Sequence, residues 1–447
     1  MRLFLPLFVA VWFVAEVAMP IRGQETKPAA ATVLKAARLF DGKSDTLVRN
    51  GMVLVQGTKI AAVGIGISIP SGARVIDLGD ATLSPGFIDA HTHLTGEYSD
   101  DWKQSFVDQF RREIAERAIA STVNARKVLD AGFTTVRDVG SKDLIDVSLR
   151  NAVVRGLVLG PRMLVAVYSL GARGGHTDIT GLRHDLLIQQ LGPAQGIAYG
   201  ADGFREAVRH QVKSGADVIK FCASGGVLSL ADEVDTPQLT LEEMTALVDE
   251  AHRLRKKVAA HCHGDRAARD AITAGVDSIE HGSFLSEETL SLMKSKGTFL
   301  VPTLLAGEWT GGRLEKFPPE IAAKAKAALV ARSTMFRNAV RLGVSIGFGT
   351  DSAVSPHGIN AKEFALMTGL GMPVIDALKS ATSSDAQLLG IAGAVGTLEP
   401  GKLADVIAMP GDPTSDVTAT ERVFFVMKEG KIIKQGRHGS AGADRAQ

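Results

Sequence analysis

The residues in this chain best placed to do chemistry are histidines that end apolar runs. His91 and His93 close SPGFIDAHTH one residue apart. On a strand, whose side chains alternate between faces, both imidazoles fall on one side, close enough to share a divalent cation. Taken alone, an HxH pattern is better read as a hydrogen-bonded core pair. His261 ends the apolar part of VAAHCHG and His281 that of SIEHG, while Asp351 follows GFGT, where a carboxylate can bind metal and act as a base toward an attacking water. By itself Asp351 reads equally well as the cap of a following helix. Four histidines and one aspartate at the ends of four apolar runs are hard to obtain from packing alone, and together they predict a metal site.

Lys220 stands inside VIKFC with apolar neighbours on both sides. A buried ammonium costs several kcal/mol unless it is paired or neutralised. A neutral amine near two cations can take up CO2 to become a carbamate, an anionic group able to bridge them; an ion pair or a snorkelling strand-end lysine is the plainer alternative. His263 shares strand parity with His261 and is a candidate for contact with the reacting group, or for a supporting hydrogen bond. His176, in GARGGHTD, is a candidate substrate contact or a residue that fixes its own loop. Ser224, Gly225 and Gly226 form a short run that can turn backbone N–H groups toward a substrate carboxylate, or an ordinary turn.

These residues need a scaffold that brings strand ends together. Eight β-rich runs occur: SPGFIDAHTH, FTTVRDVG, RMLVAVYS, DVIKFCASGG, KVAAHCHG, DSIEHGS, TFLVPTL and VSIGFGTDS. They recur about every 37 residues and are separated by stretches with helical periodicity such as LEEMTALVDEAHRLRK, which is the spacing of βα units. The reading is α/β, a (β/α)8 TIM barrel over 87–396, whose catalytic face is the carboxyl end of the strands. The Gly-rich interruption from Ser169 to Gly203 follows the third strand and is expected to border the site. Alternating runs with Gly/Asp breaks occupy 24–86 and return at 397–440; neither buries a core alone, so both chain ends are expected to build one small β-sandwich, with 441–447 a tail.

The composition narrows the function. Lys and Arg number 50 against 49 Asp and Glu, with no basic run, which excludes phosphate-backbone binding to nucleic acid. Hydrophobic residues at 45% and charged residues at 22% exclude wholesale disorder. Two cysteines, Cys222 and Cys262, are too few for a disulfide framework and are expected as buried thiols. Arg2, the apolar run Leu3–Met19 and the polar stretch after Gly23 read as a signal peptide over 1–23, so the chain is expected to be secreted or periplasmic, with no stable membrane partner after the leader is removed. A core helix or a retained anchor are the alternatives. Removal of the leader leaves acidic and basic residues equal in number.

The ordered set PGFIDAHTH, DVIKFCASGG, HCHG, SIEHG and GTDS, with the terminal GTLEPGKLADVI, resembles the amidohydrolase superfamily, in the branch of imidazolonepropionase-like and prolidase-like enzymes with a carboxylated lysine. The resemblance implies two divalent metal ions, usually zinc. His91 and His93 would hold one and His261 and His281 the other; carboxylated Lys220 would bridge them, and Asp351 would ligate the first and shuttle the proton. Imidazolonepropionases usually have one metal and no such lysine, so Lys220 argues against that name. The expected activity is hydrolysis of an amide bond in a dipeptide or N-acyl amino acid with a free carboxylate, as in Xaa-Pro dipeptidases, carboxypeptidases and ochratoxin-type hydrolases. A deaminase or cyclic-amide hydrolase is the alternative, and a non-catalytic periplasmic binding protein on the same scaffold a second; a homo-oligomer is left open. N-terminal sequencing of the native protein is expected to begin near Gln24, and intact Met1 in a soluble cytoplasmic fraction would overturn export.

Overall fold

The structure is a computed structural model in which residues 31–180, 183, 190–230 and 232–436 are described. The leader read over 1–23 and the tail over 441–447 lie outside the described residues. The alternating N-terminal runs fold as β1 (Ala31–Lys35), β2 (Arg38–Leu39), β3 (Val48–Arg49), β4 (Met52–Gln56), β5 (Lys59–Gly64), β6 (Arg74–Asp77) and β7 (Ala81–Pro85). Next come β8 (Phe87–Thr92), β9 (Phe133–Asp138), β10 (Arg162–Val165), β11 (Gly171–Ala172), β12 (Ile197–Ala198), β13 (Val218–Cys222), β14 (Lys257–Cys262), β15 (Ser278–His281) and β16 (Phe299–Val301). The C-terminal runs supply β17 (Val406–Pro410), β18 (Phe425–Lys428) and β19 (Lys431–Gln435).

The two chain ends meet in one sheet, ordered β19-β18-β17-β7-β2-β3, in which β17 runs antiparallel to β7 from Ala81 opposite Pro410 to Pro85 opposite Val406. A second sheet, β5-β4-β1-β6, shares its apolar core with the first: Leu34, Val53 and Ile76 cluster with Leu83, Val406 and Phe425. Neither half has enough strands or apolar area to close this core alone. Gly86 alone separates β7 from β8, so the small unit leads directly into the strand that carries His91.

The central strands are parallel, in two sheets ordered β10-β9-β8 and β13-β14-β15-β16. Every residue of β8, β9, β13 and β15 is buried, the polar ones included, as expected of parallel strands covered on both faces. Helices cross between consecutive strands. The helix Leu241–Arg253, read from its periodicity, opens on a capping box in which Thr240 accepts from the Glu243 amide and Glu243 accepts from the Thr240 amide. Between the sheets the Asp217 N–H donates to the Val165 carbonyl and the Leu170 N–H to that of Lys220. On the far side Leu300 donates to Ser345, Ala90 to Phe348 and Asp351 to His91.

The run VSIGFGTDS, expected as the eighth strand, is not a regular strand. It hydrogen-bonds to both β16 and β8 but forms only single bridges, Ile346 to Leu300 and Ser352 to Thr92. Between the two bridges no ladder forms, and Asp351, just before the second, has a left-handed backbone, φ 54°. What fixes the segment is packing: the Phe348 ring lies 5.5 Å from Phe133 and 4.5 Å from Phe364, which in turn meets Phe87 at 4.9 Å. Phe348→Ala is therefore expected to destabilise the fold by about 3–5 kcal/mol, read as a lowered denaturation midpoint. Val330→Ala, on an exposed helix face, should leave the midpoint unchanged.

Candidate metal centre

The structure brings all the sequence-predicted metal residues to one cavity of about 270 Å³, lined by His91, His93, Lys220, His261, His281 and Asp351. The Nε2 atoms of His91 and His93 lie 3.5 and 3.3 Å from Asp351 Oδ1. Ligand atoms of His91, His281 and Asp351 all fall within 4.8 Å of one another, as do those of His261, His263 and His281. His281 thus joins two donor groups. A third group adds His176 and Cys222 to His261, but burial pushes the Cys222 thiol up to about 12, so it is a poor source of thiolate.

Hydrogen bonds assign one nitrogen of each ring and leave the other as a donor atom. His91 donates from Nδ1 to Glu280 Oε2 at 2.7 Å, and His93 from Nδ1 to the Gly140 carbonyl at 2.9 Å. His281 Nδ1 meets Thr303 Oγ1 at 2.7 Å. His261 uses Nε2 instead, donating to the Gly225 carbonyl at 3.2 Å, which leaves Nδ1. Burial drives His261 and His281 well below the usual imidazole range, so both are neutral and able to ligate. The donor set fits divalent metal: neutral imidazoles, one carboxylate and an amine that needs neutralising. That amine is Lys220, buried on β13, with no hydrogen bond or ion pair for its ammonium among the described residues; burial moves its pKa below the usual lysine range.

Two residues that sequence reasoning missed control His91. Glu280 and Arg137 are wholly buried and paired at 2.8 Å, and Arg137 also donates to the Ala90 carbonyl and to Ser278 Oγ. Burial alone would raise the Glu280 carboxyl, but the Arg137 guanidinium and the His91 hydrogen bond hold it at about 2. The signal was present: Arg137 and Glu280 are charges of opposite sign inside runs that must be buried.

The remaining candidates divide. His263 lines the cavity, its ring stacked 4.9 Å from that of His281 and its Nδ1 2.8 Å from Ser283 Oγ. His176 also lines it, stacked 4.5 Å from His261 and fastened to Ser229 Oγ at 3.0 Å. Ser224, Gly225 and Gly226 are not among the lining residues, and the expected nest is not formed. The Gly225 N–H donates to the Thr236 carbonyl and the Gly226 N–H to Asp232, because the chain folds back over 232–237; Ser224 Oγ donates to the Val234 carbonyl. A wider cavity adjoins the first through His93, Ser169, His176, Thr177 and Leu228, and Trp102, Phe106 and Phe110 line its far side.

The profile of the amidohydrolase family matches residues 82–434. The chain belongs to the amidohydrolase family. This amidohydrolase is 32% identical over 448 residues to an ochratoxinase of Aspergillus niger, covering 95% of this chain and 91% of the relative. A Xaa-Pro dipeptidase solved with methionine bound in its active site matches with a TM-score of 0.87 and 39% identity, over 91% of this chain and all of the other. The solved A. niger ochratoxinase gives 0.82 and 30%, over 92% and 96%. These likenesses place the amidohydrolase in the prolidase-like branch as a hydrolase of C–N bonds. Glu280→Gln would strand the buried Arg137 charge, so it is expected to cost about 3–5 kcal/mol of stability and to lower metal affinity about 10- to 100-fold, measured by denaturation and by competition with a chelator.

Proposed function

We propose that this amidohydrolase uses two divalent metal ions, zinc by its donor set, to cleave the amide bond of a dipeptide or N-acyl amino acid that carries a free carboxylate. The observation that carries the reading is Lys220: a buried amine, unpaired among the described residues, that shares one cavity with four candidate histidine ligands and Asp351. Carboxylation would convert it from an uncompensated cation into an anion suited to lie between two cations. Relatives named for hydrolysis of ochratoxin and of Xaa-Pro dipeptides support the substrate class.

His91, His93 and Asp351 would hold one metal, His261 and His281 the other, and carboxylated Lys220 both. Two cations held there would supply polarisation of the scissile carbonyl and acidify the attacking water. Asp351 takes the proton from that water as its oxygen bonds to the carbonyl carbon. It then delivers the proton to the nitrogen as the C–N bond breaks, releasing an amine and a carboxylic acid. His263, held at Nδ1 by Ser283, keeps Nε2 for the substrate oxygen. His176, between the two cavities, contacts the acyl half, which occupies the wider cavity beside the Gly-rich loop.

The scaffold of this reading is a (β/α)8 barrel over 87–396, its two parallel sheets being arcs of one ring, with a β-sandwich from the described parts of 24–86 and 397–440. Secretion or periplasmic placement rests on the run Leu3–Met19; no helix among the described residues is long and apolar enough to cross a membrane.

Elemental analysis of carefully loaded protein is expected to give two metals per chain, and chelation to abolish turnover while leaving most of the fold. Lys220→Ala should remove nearly all activity, with partial rescue by a short carboxylic acid. Asp351→Asn should lower kcat about 10²- to 10⁴-fold and lose less in metal content. No turnover across a library of N-acyl amino acids and dipeptides, with release of ammonia from amino-substituted rings or ring opening of cyclic amides without fragmentation, would replace this reading by the deaminase or cyclic-amide alternative.

A further inference from the structure

Arg332 lies on the helix Pro319–Leu342, within its buried stripe of Ile321, Ala325, Ala328, Met335 and Phe336. Its side chain is 7% exposed and lines the cavity of the metal-site histidines, beside Ala306, Ala325, Ala328 and Leu329. A guanidinium in such a wall calls for an anion. The protein offers it little. Among the described residues the nearest carboxylate oxygen, on the largely exposed Glu308, stands 3.5 Å away, at the limit of a hydrogen bond. Glu363, the other carboxylate that acts on it, spends one oxygen on the Leu304 amide at 2.8 Å and the other on that of Leu305 at 2.6 Å.

The backbone is shaped around this arginine. A Cβ on Gly307 would fall 1.5 Å from Nη1 and 2.4 Å from the guanidinium carbon, so the planar group rests on the bare backbone of Gly307. Among the described residues that line the cavity, only Lys220 and Arg332 are lysine or arginine, and Lys220 belongs with the metal ligands.

We infer that Arg332 is the subsite for the substrate's α-carboxylate. The planar fork of a guanidinium matches a carboxylate with two parallel hydrogen bonds, which an ammonium cannot reproduce. The amine-side residue of the substrate then lies against Ala306, Ala325, Ala328 and Leu329, an apolar wall suited to an aliphatic or aromatic side chain. This inference rests on the amide-hydrolase reading and places in Arg332 the anion recognition that Gly225 and Gly226, with their amides already bonded, do not supply.

The test compares an N-acyl-leucine with its C-terminal amide as substrates for the metal-loaded protein, and leucine with leucinamide in isothermal titration. The wild type should favour the acid by roughly 10- to 150-fold in kcat/KM. Arg332→Met should lose at least tenfold more on the acid than on the amide, and should lose leucine binding while metal content is retained; Arg332→Lys should recover only part. If Arg332→Met does not fold, Gly307→Ala, which pushes the guanidinium off its seat and keeps its charge, should reduce the acid preference in the same sense. Equal losses on acid and amide, or an acid preference that survives these variants, overturn the inference. Arg332-dependent leucine binding in a protein that hydrolyses neither substrate would uphold the subsite and reject the amide-hydrolase reading.

Discussion

The buried pair Arg137–Glu280 is the constraint on which the centre of the molecule depends. Arg137 on β9 donates to the Ala90 carbonyl on β8 and to Ser278 and Glu280 on β15, so one guanidinium ties three strands across the interior. Two charges without solvent cost several kcal/mol each to desolvate, and an apolar pair of equal volume would hold the strands as well or better. An apolar pair could not accept the His91 N–H. The second oxygen of Glu280 does so, which fixes the tautomer and plane of the His91 ring while the first oxygen answers Arg137. Strand packing and the orientation of this candidate ligand are therefore one interaction, and neither can be altered alone.

The same economy shows in the backbone at the strand ends. His281, Thr303 and Asp351 all have left-handed conformations, with φ of 70°, 48° and 54°. For residues with side chains such conformations are uncommon and cost of order 1–3 kcal/mol. They lie where a strand must stop and turn its last side chain into the cavity. Thr303 is bound to His281 through Oγ1, so two of the three strained residues hold each other in place.

Much of this was legible in the sequence where burial forces composition. The runs around His91, Lys220, His261 and His281 are apolar because both faces of a parallel strand are covered, and a polar residue at their ends stands out against that background. The eighth run was legible as a position but not as a conformation, because its apolar composition does not record that Asp351 leaves the extended region. The Ser224–Gly226 run misled for a related reason. Glycine content shows that a turn is permitted, but not that residues 232–237 fold back to take its amides. Arg332 was overlooked although its signal is plain in retrospect: it is a charge on the apolar stripe of its helix, four residues after Ala328 and three before Met335.

The pairing of β7 with β17 sets an order on the life of the chain. Thr82 on β7 donates to the Gly411 carbonyl, 329 residues farther on. During synthesis β7 leaves the ribosome long before its partner exists, so the first sheet keeps an unpaired apolar edge until nearly the whole chain has emerged. The sheet of the small unit is completed only when β17 pairs with β7, and β7 leads directly into the strand that carries His91. A chain built this way stays unfinished near its N-terminus until β17 has been made, and its open apolar edge is a site for aggregation for as long as that takes.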